Sequence, residues 1–292
     1  MKILVLGGSG MLGHKLVQQL SGDFDVWTTI RGEFERLAHF GIFGRERTIE
    51  QVDVEDLDTL TRTIESVAPN VIFNAIGVVK QVPTAKNAVA TIALNSLLPH
   101  RLAYVAERVG ARLITISTDC VFDGTRGLTT EADHPNATDL YGKSKHLGEV
   151  VEGNVLTLRT SIIGRELGTT HSLVEWFLSN RGKTVKGFSN AIYSGFPTII
   201  FAEIVTDLIK NHAELRGLYH VSSDAINKYD LLCLFRKYYG VEVEIEGFDD
   251  FKIDRSLDST KFREATKFKP RGWDEMIAIM ASDPTPYDGF SR

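Results

Sequence analysis

Cysteine is scarce in this chain. Cys120 and Cys233 are the only two among 292 residues. They make no disulfide framework, which points to a reducing compartment. Lysine and arginine form no block, and the formal net charge is −5. A nucleic-acid footprint is therefore not expected. No stretch has the length and apolarity of a spanning helix, and the N-terminus, one lysine followed by a short strand ending in glycine, does not read as a secretory signal. Neither a membrane partner nor export is expected, and a cytoplasmic location follows. The histidines are scattered without ligand spacing, so no metal site is expected. There is no internal repeat and no low-complexity segment. What remains is ordinary for a globular protein: 43% hydrophobic and 24% charged residues, in a chain long enough to bury a substantial core.

The most informative stretch runs from Lys2 to Gly13. Five residues of strand character lead into Gly7, Gly10 and Gly13. A helical pattern follows, with Met11, Leu12, Leu16, Val17 and Leu20 on one face and Lys15, Gln18 and Gln19 on the other. Strand, tight turn and helix are the context in which such glycines bind a dinucleotide. Gly7 permits the turn, Gly10 lets a pyrophosphate reach backbone N–H groups, and Gly13 lets the helix sit close to the strand. Ser9, Met11 and Leu12 complete the turn, whose helix N-terminus favours phosphate.

Strand and helix alternate through the first half. Strands are expected at 24–30, 48–52, 71–76, 112–117 and 155–158, and helices at 33–40, 57–67, 89–109 and 139–151. Pro99 should kink the third of these helices. The expected fold is α/β, a Rossmann doubly wound parallel sheet with helices on both faces. After Thr160 the pattern changes. Helices are expected at 173–178, 199–209, 228–239 and 273–280, and strands at 217–221 and 241–245. This reads as a small α+β C-terminal substrate lobe. The division is 1–160 for the NADP-binding domain and 161–292 for the substrate lobe, with parts of 191–222 returning to the main domain. The tail from Asp283 to Arg292 should be frayed or laid over the surface.

A Rossmann unit that prefers NAD carries an acid near the end of its second strand. Here that strand ends Thr28-Thr29-Ile30-Arg31. Arg31 suits a 2′-phosphate, which favours NADP(H) over NAD(H). Asp53 is placed to contact the adenine. Asn74, Ala75 and Gly77 close the fourth strand, where small residues let the cofactor lie against backbone.

Two further stretches carry the chemistry. Ser117-Thr118-Asp119-Cys120 ends the fifth strand, and Tyr141-Gly-Lys-Ser-Lys145 opens a helix. Tyr141 and Lys145 are spaced i, i+4 and share a face. An ammonium beside the phenol lowers its pKa, so the tyrosine can pass a proton to a carbonyl oxygen as hydride moves. Thr118 would hold the same oxygen.

These motifs resemble the extended short-chain dehydrogenases/reductases over essentially the whole chain, and within them the dTDP-4-dehydrorhamnose reductase group. The resemblance rests on Gly7–Gly13, Ser117–Gly124, Tyr141–Lys145 with Gly148-Glu149, Leu158–Ser161, and Asp254–Asp258 with Lys261. It implies a nucleotide-sugar substrate, UDP-, dTDP- or GDP-linked. It implies Thr118, Tyr141 and Lys145 as the catalytic set and a supporting, cofactor-side role for Asn95. It also implies that residues 158–163 and the Arg255 region line the site.

The expected activity is NADPH-dependent reduction of the C4 ketone of a nucleotide-linked 4-keto-6-deoxy sugar, for surface polysaccharide. Sugar dehydratases of the superfamily have Asp-Glu after the threonine; Asp119-Cys120 argues against dehydration. Cys120 instead resembles GDP-fucose synthase, where a cysteine and a histidine epimerise C3 and C5 before reduction; His171 would be the histidine. The plainer alternatives are a small strand-end residue for Cys120 and a helix-start histidine for His171. A third reading is a non-catalytic NADP-binding regulatory subunit. A homodimer is compatible with the sequence, which leaves open the nucleotide, the C2 substituent and the C4 stereochemistry.

Overall fold

A computed structural model describes residues 1–79 and 87–287. Strands β1 (Lys2–Leu6), β2 (Asp25–Thr29), β3 (Thr48–Ile49), β4 (Val71–Asn74), β5 (Arg112–Thr118) and β6 (Val155–Thr160) form one sheet with the later strand Gly217–His220. Across the sheet the order is Gly217–His220, β6, β5, β4, β1, β2, β3. All its pairings are parallel. The order reverses between β1 and β4, which opens a crevice at their carboxyl ends.

Helices cover both faces, which is why β4 is buried at every position and reads as a continuous apolar run. On one face, Leu16, Val17 and Leu20 of α1 (Gly13–Leu20) pack with Phe201, Val205 and Leu208 of the helix Thr198–Asn211. On the other, Leu60 and Ile64 of the helix Leu57–Val67 and Leu102 and Val105 of the helix Leu98–Val109 cover Leu4, Leu6, Ile72 and Leu113. This is the Rossmann-like α/β fold expected from the alternation.

Several local expectations are refined. The strand expected at 48–52 is only two residues long, because Gln51 takes a positive φ of 58° and leaves the extended region. The helix expected at 89–109 is three segments: α-helical Ala88–Ile92, π-helical Ala93–Leu97 and α-helical Leu98–Val109. Pro99 has no N–H to offer the preceding turn, and the π turn directly upstream is where the irregularity is absorbed.

Beyond β6 the chain builds small sheets. The strand expected at 241–245 forms instead at Glu244–Phe248 and pairs in parallel with Thr184–Phe188. A three-stranded sheet has Ala191–Tyr193 at its centre, flanked by Ile226–Asn227 and Ile253–Asp254. Strand Gly217–His220 rejoins the main sheet beside β6. Helix Lys228–Tyr239 ends at Gly240 with φ +60°, as its sequence required.

The tail departs from expectation. Thr285 and Tyr287 are buried against α1, and residues 288–292 lie outside the described residues. Lys15, expected on the solvent face of α1, is consequently only 4% exposed.

Candidate active site

The glycine turn occupies the crevice side of β1. Gly7 has φ +82°, and a Cβ at Gly13 would stand 2.0 Å from the Gly7 carbonyl oxygen. The first residue must reach the left-handed region and the last must let α1 approach the turn, so both positions exclude a side chain. Gly10 is exposed and donates its N–H to the Gly7 carbonyl across 3.0 Å. Ser9 and Met11 are half-buried. The Leu12 side chain is buried in the core, so only its backbone is available to a ligand.

Arg31 is exposed just past β2. Asp53 is exposed beside that strand's end and accepts from Glu55 N–H. Asn74 is buried and its amide is engaged within the chain: Nδ2 donates to Thr115 Oγ1 at 3.2 Å, and Oδ1 accepts from Ile76 N–H at 3.1 Å. Ala75 donates its N–H to the Leu6 carbonyl, tying the end of β4 to β1. Gly77 is exposed near Lys145; a Cβ there would be 3.8 Å from Lys145 Nζ.

Asn95 sits within the π turn and is 1% exposed. Its Oδ1 accepts from Val78 N–H at 2.8 Å, and its Nδ2 is 3.0 Å from the Val78 carbonyl and 3.2 Å from Ser144 Oγ. The amide thus joins the segment after β4 to the helix Leu140–Leu147 that carries Tyr141 and Lys145. Its role is to position those elements.

Asp139 caps that helix by accepting from Gly142 N–H at 2.8 Å. A Cβ at Gly142 would stand 2.3 Å from the Cys120 carbonyl, and this close approach brings Tyr141 to the end of β5. Thr118 faces the Tyr141 phenol closely enough to lower its pKa. Thr118 also accepts from Cys120 N–H at 3.2 Å and donates to Asp119 Oδ1 at 3.0 Å. Lys145 Nζ donates to the Ile116 carbonyl at 2.6 Å.

The electrostatics depart from the expectation that Lys145 would bring the phenol down. Burial, then the neighbouring Cys120 thiol, push the Tyr141 pKa above the ordinary tyrosine value, and the opposing effect of Thr118 only partly offsets them. Tyr141 is therefore a neutral proton donor. Burial lowers Lys145 to about 8, against the raising effect of Glu149.

The tertiary structure adds Asp119, Tyr193 and Lys228, to which sequence reasoning gave no role, and sets them beside Arg255, whose region was expected at the site. Asp119 is 5% exposed, and burial pushes its carboxyl above the usual range. The three-stranded sheet packs over it. Tyr193 brings a buried hydroxyl that has no hydrogen-bond partner among the described residues, close enough for the Asp119 charge to act on it. Arg255 donates from Nε to the Phe122 carbonyl at 3.2 Å and acts electrostatically on Asp119. Lys228, directly after the strand Ile226–Asn227, is lowered by desolvation while Asp119 and Cys120 pull it upward. Asp119 could have been flagged by its place beside Thr118; Tyr193 and Lys228 carry no local signal.

Cys120 is half-buried among Tyr141 and Lys228. His171 is exposed ahead of the helix Leu173–Leu178, with its backbone N–H donated to Glu166 Oε2 at 2.7 Å. The basic group placed beside Cys120 is thus a lysine. A hydroxyl pair at a strand end, a buried ammonium behind it and a glycine turn across the crevice can polarise a carbonyl and protonate its oxygen.

The chain is similar to known proteins. Over 302 aligned residues the chain is 24% identical to dTDP-4-dehydrorhamnose reductase of Aggregatibacter actinomycetemcomitans, covering 94% of this chain and 97% of that one. It is 26% identical over 244 residues to methionine adenosyltransferase 2 subunit beta of Mus musculus, covering 80% and 70%. The crystal structure of dTDP-4-dehydrorhamnose reductase from Bacillus anthracis in complex with NADP superposes with a TM-score of 0.79 at 20% identity, covering 96% of this chain and 98% of that one. The model of the RmlD substrate binding domain family matches residues 1–284, and the chain belongs to that family.

Proposed function

We propose that the chain is an NADPH-dependent reductase of the C4 ketone of a nucleotide-linked 4-keto-6-deoxy sugar, making an activated deoxysugar for surface polysaccharide. The observation that carries this reading is that Thr118 and the Tyr141 phenol come together at the end of β5, with Lys145 hydrogen-bonded to the Ile116 carbonyl two residues upstream. Residues 1–160 would hold the cofactor and residues 161–292 the sugar nucleotide. The glycine turn fits a dinucleotide: Gly10 is exposed, and the turn leaves its backbone uncovered. Gly7, Ser9, Gly10, Met11 and Gly13 would hold the pyrophosphate, with Arg31 at a 2′-phosphate, Asp53 at the adenine, and Ala75 and Gly77 along the nicotinamide side.

The bound cofactor supplies a hydride. The Thr118 hydroxyl, which donates to Asp119 Oδ1 in the free chain, would turn to donate to the ketone oxygen. Tyr141, kept neutral by burial, gives its proton to that oxygen as C4 becomes a carbinol, and Lys145 would hold the nicotinamide ribose. Arg255 and Lys228 place positive charge over Asp119, which suits a substrate carrying a diphosphate.

The test is a panel of UDP-, dTDP- and GDP-linked 4-keto sugars with NADPH consumption and product stereochemistry followed. Turnover should appear with one nucleotide class and be lost in Tyr141→Phe while NADPH binding persists. Wild-type turnover in that variant removes the assignment. Likeness to methionine adenosyltransferase 2 subunit beta favours a second reading, a non-catalytic NADP-binding subunit. A stoichiometric partner together with no turnover on any keto sugar would select it. Running the reaction in deuterated water decides the epimerase reading: label at C3 or C5 of the product would assign Cys120 an acid–base role.

A further inference from the structure

The C-terminal segment Asp283–Tyr287 is threaded onto the first turns of α1. His14 is wholly buried there. Its Nδ1 lies 2.9 Å from the Gly10 carbonyl and its Nε2 2.9 Å from the Tyr287 hydroxyl. A carbonyl oxygen only accepts, so Nδ1 carries the proton. Burial lowers His14 to about 4, so the ring is neutral, and Nε2 and the Asp283 carboxylate share the single proton of the Tyr287 hydroxyl. The same hydroxyl is 2.8 Å from Asp283 Oδ2. Asp283 is ion-paired with the buried Lys15, which also donates to Thr285 Oγ1 at 2.9 Å and Gln18 Oε1 at 2.7 Å. The other side of the Tyr287 ring carries the Arg165 guanidinium, 4.7 Å from its centroid, and Arg165 Nε donates to Glu175 Oε1 at 2.5 Å.

Two elements meet at Tyr287. One is the Gly10 carbonyl of the glycine turn, held through His14. The other is the segment between β6 and the helix Leu173–Leu178, held through Arg165. Three groups of this assembly are ionisable and buried, Lys15, His14 and Asp283. Burial of such groups is costly unless each is paired, so removal of one contact loosens the rest.

We propose that Tyr287, through His14, is a positioning residue for the dinucleotide-binding turn, so that the docked C-terminal segment sets cofactor affinity. The inference rests on the reading of that turn as an NADP(H) site. It requires no contact between Tyr287 and the cofactor. The hydroxyl orients His14, His14 holds the Gly10 carbonyl, and that carbonyl fixes the peptide whose neighbours would face the pyrophosphate.

The experiment compares wild type with Tyr287→Phe, which keeps the ring beneath Arg165 and removes the hydroxyl from His14, and with Asp283→Asn. Tyr238→Phe serves as control, since it removes a hydrogen bond to Asp274 on the surface, remote from the turn. NADPH affinity is measured by fluorescence, and amide hydrogen exchange of residues 8–15 is measured without cofactor. Tyr287→Phe should weaken NADPH binding by about tenfold and speed exchange at residues 10–15, with the KM for the keto sugar unchanged; the control should do neither. Affinity within about twofold of wild type together with unchanged exchange overturns the proposal, even if thermal stability falls. If wild type fails to bind NADPH, the cofactor reading is at fault, and the exchange data alone then decide whether Tyr287 positions the turn.

Discussion

Glu149 and Arg159 face each other in a buried, two-pronged ion pair, with Nε on Oε1 and Nη2 on Oε2, both at 2.7 Å. Their side chains are 4% and 3% exposed. Ser117 donates to the same Glu149 oxygen at 2.5 Å, and Arg159 Nη1 lies 3.1 Å from His220 Nε2. One carboxylate thus ties together β5 immediately before Thr118, β6, the returning strand and the end of the catalytic helix. Arg159→Met should lower stability by about 3–5 kcal/mol, because it leaves the carboxylate buried without its guanidinium partner. Urea denaturation measures this. Arg159→Leu combined with Glu149→Leu should recover much of the loss, since apolar replacement of both partners strands no charge.

Lys145 links stability and activity with opposite signs. The folded group loses its proton near pH 8, whereas an unfolded lysine does so near 10.5. Between those values the unfolded chain holds more protons, so this group's contribution to stability rises with pH; below 8 the buried charge is a full cost. Lys145→Met should therefore raise stability at pH 7 by up to ~3 kcal/mol while cutting kcat by roughly a hundredfold or more. In the wild type, kcat/KM should decline above pH about 8 as the ammonium is lost. A pH–rate profile and a denaturation series on the same preparations check both statements.

Acid should loosen the C-terminal segment. His14 titrates near 4 in the folded chain against 6.5 for an ordinary histidine, through burial first and the Lys15 charge in addition. Between those pH values the unfolded state binds the extra proton, so stability falls as pH drops from about 6.5 to 4. The loss from this group amounts to about 3 kcal/mol. Asp283, whose carboxyl is held below its ordinary 3.8 by Lys15 and Tyr287 despite its burial, adds a further loss of the same sign once the pH falls below that value. His14→Gln should flatten the stability profile across this interval, as read by thermal melts at half-unit steps.

Arg31 should set the cofactor preference. A charge-assisted contact to a 2′-phosphate is worth about 1.5–3 kcal/mol, so Arg31→Ala should reduce the NADPH-to-NADH ratio of kcat/KM by about ten- to a hundredfold. NADH turnover should change little. An equal fall with both cofactors would place Arg31 in the general stability of the β2 end.

Much of the architecture was legible because it rests on short-range physics. The glycine turn is written in consecutive residues whose backbone must bend at Gly7 and admit α1 at Gly13. Apolar runs such as Val71–Asn74 report a strand covered on both faces. Tyr141 and Lys145 face one way because an α-helix repeats every 3.6 residues. The helix from Lys228 to Tyr239 could be bounded by its sequence because Gly240 supplies a left-handed stop.

Strands of two or three residues were another matter. Ile162–Ile163, Phe196–Pro197 and Ile253–Asp254 have no period long enough to detect; they exist because a partner strand is near. The charge environment of the site was equally hidden. A tyrosine beside a lysine in the sequence suggests a depressed phenol, yet burial dominates once the lobes close over Tyr141.

The chain's own sequence determined the Rossmann-like order of strands and helices, the glycine turn and the positions of Thr118, Tyr141 and Lys145, because each is encoded by neighbours within a few residues. The tertiary structure alone decided that Lys15 is buried rather than solvated, that Tyr193, Lys228 and Arg255 meet above Asp119, and that Tyr287 reaches His14 across 273 positions of chain. Such contacts depend on how whole elements pack, and no local pattern of residues records them.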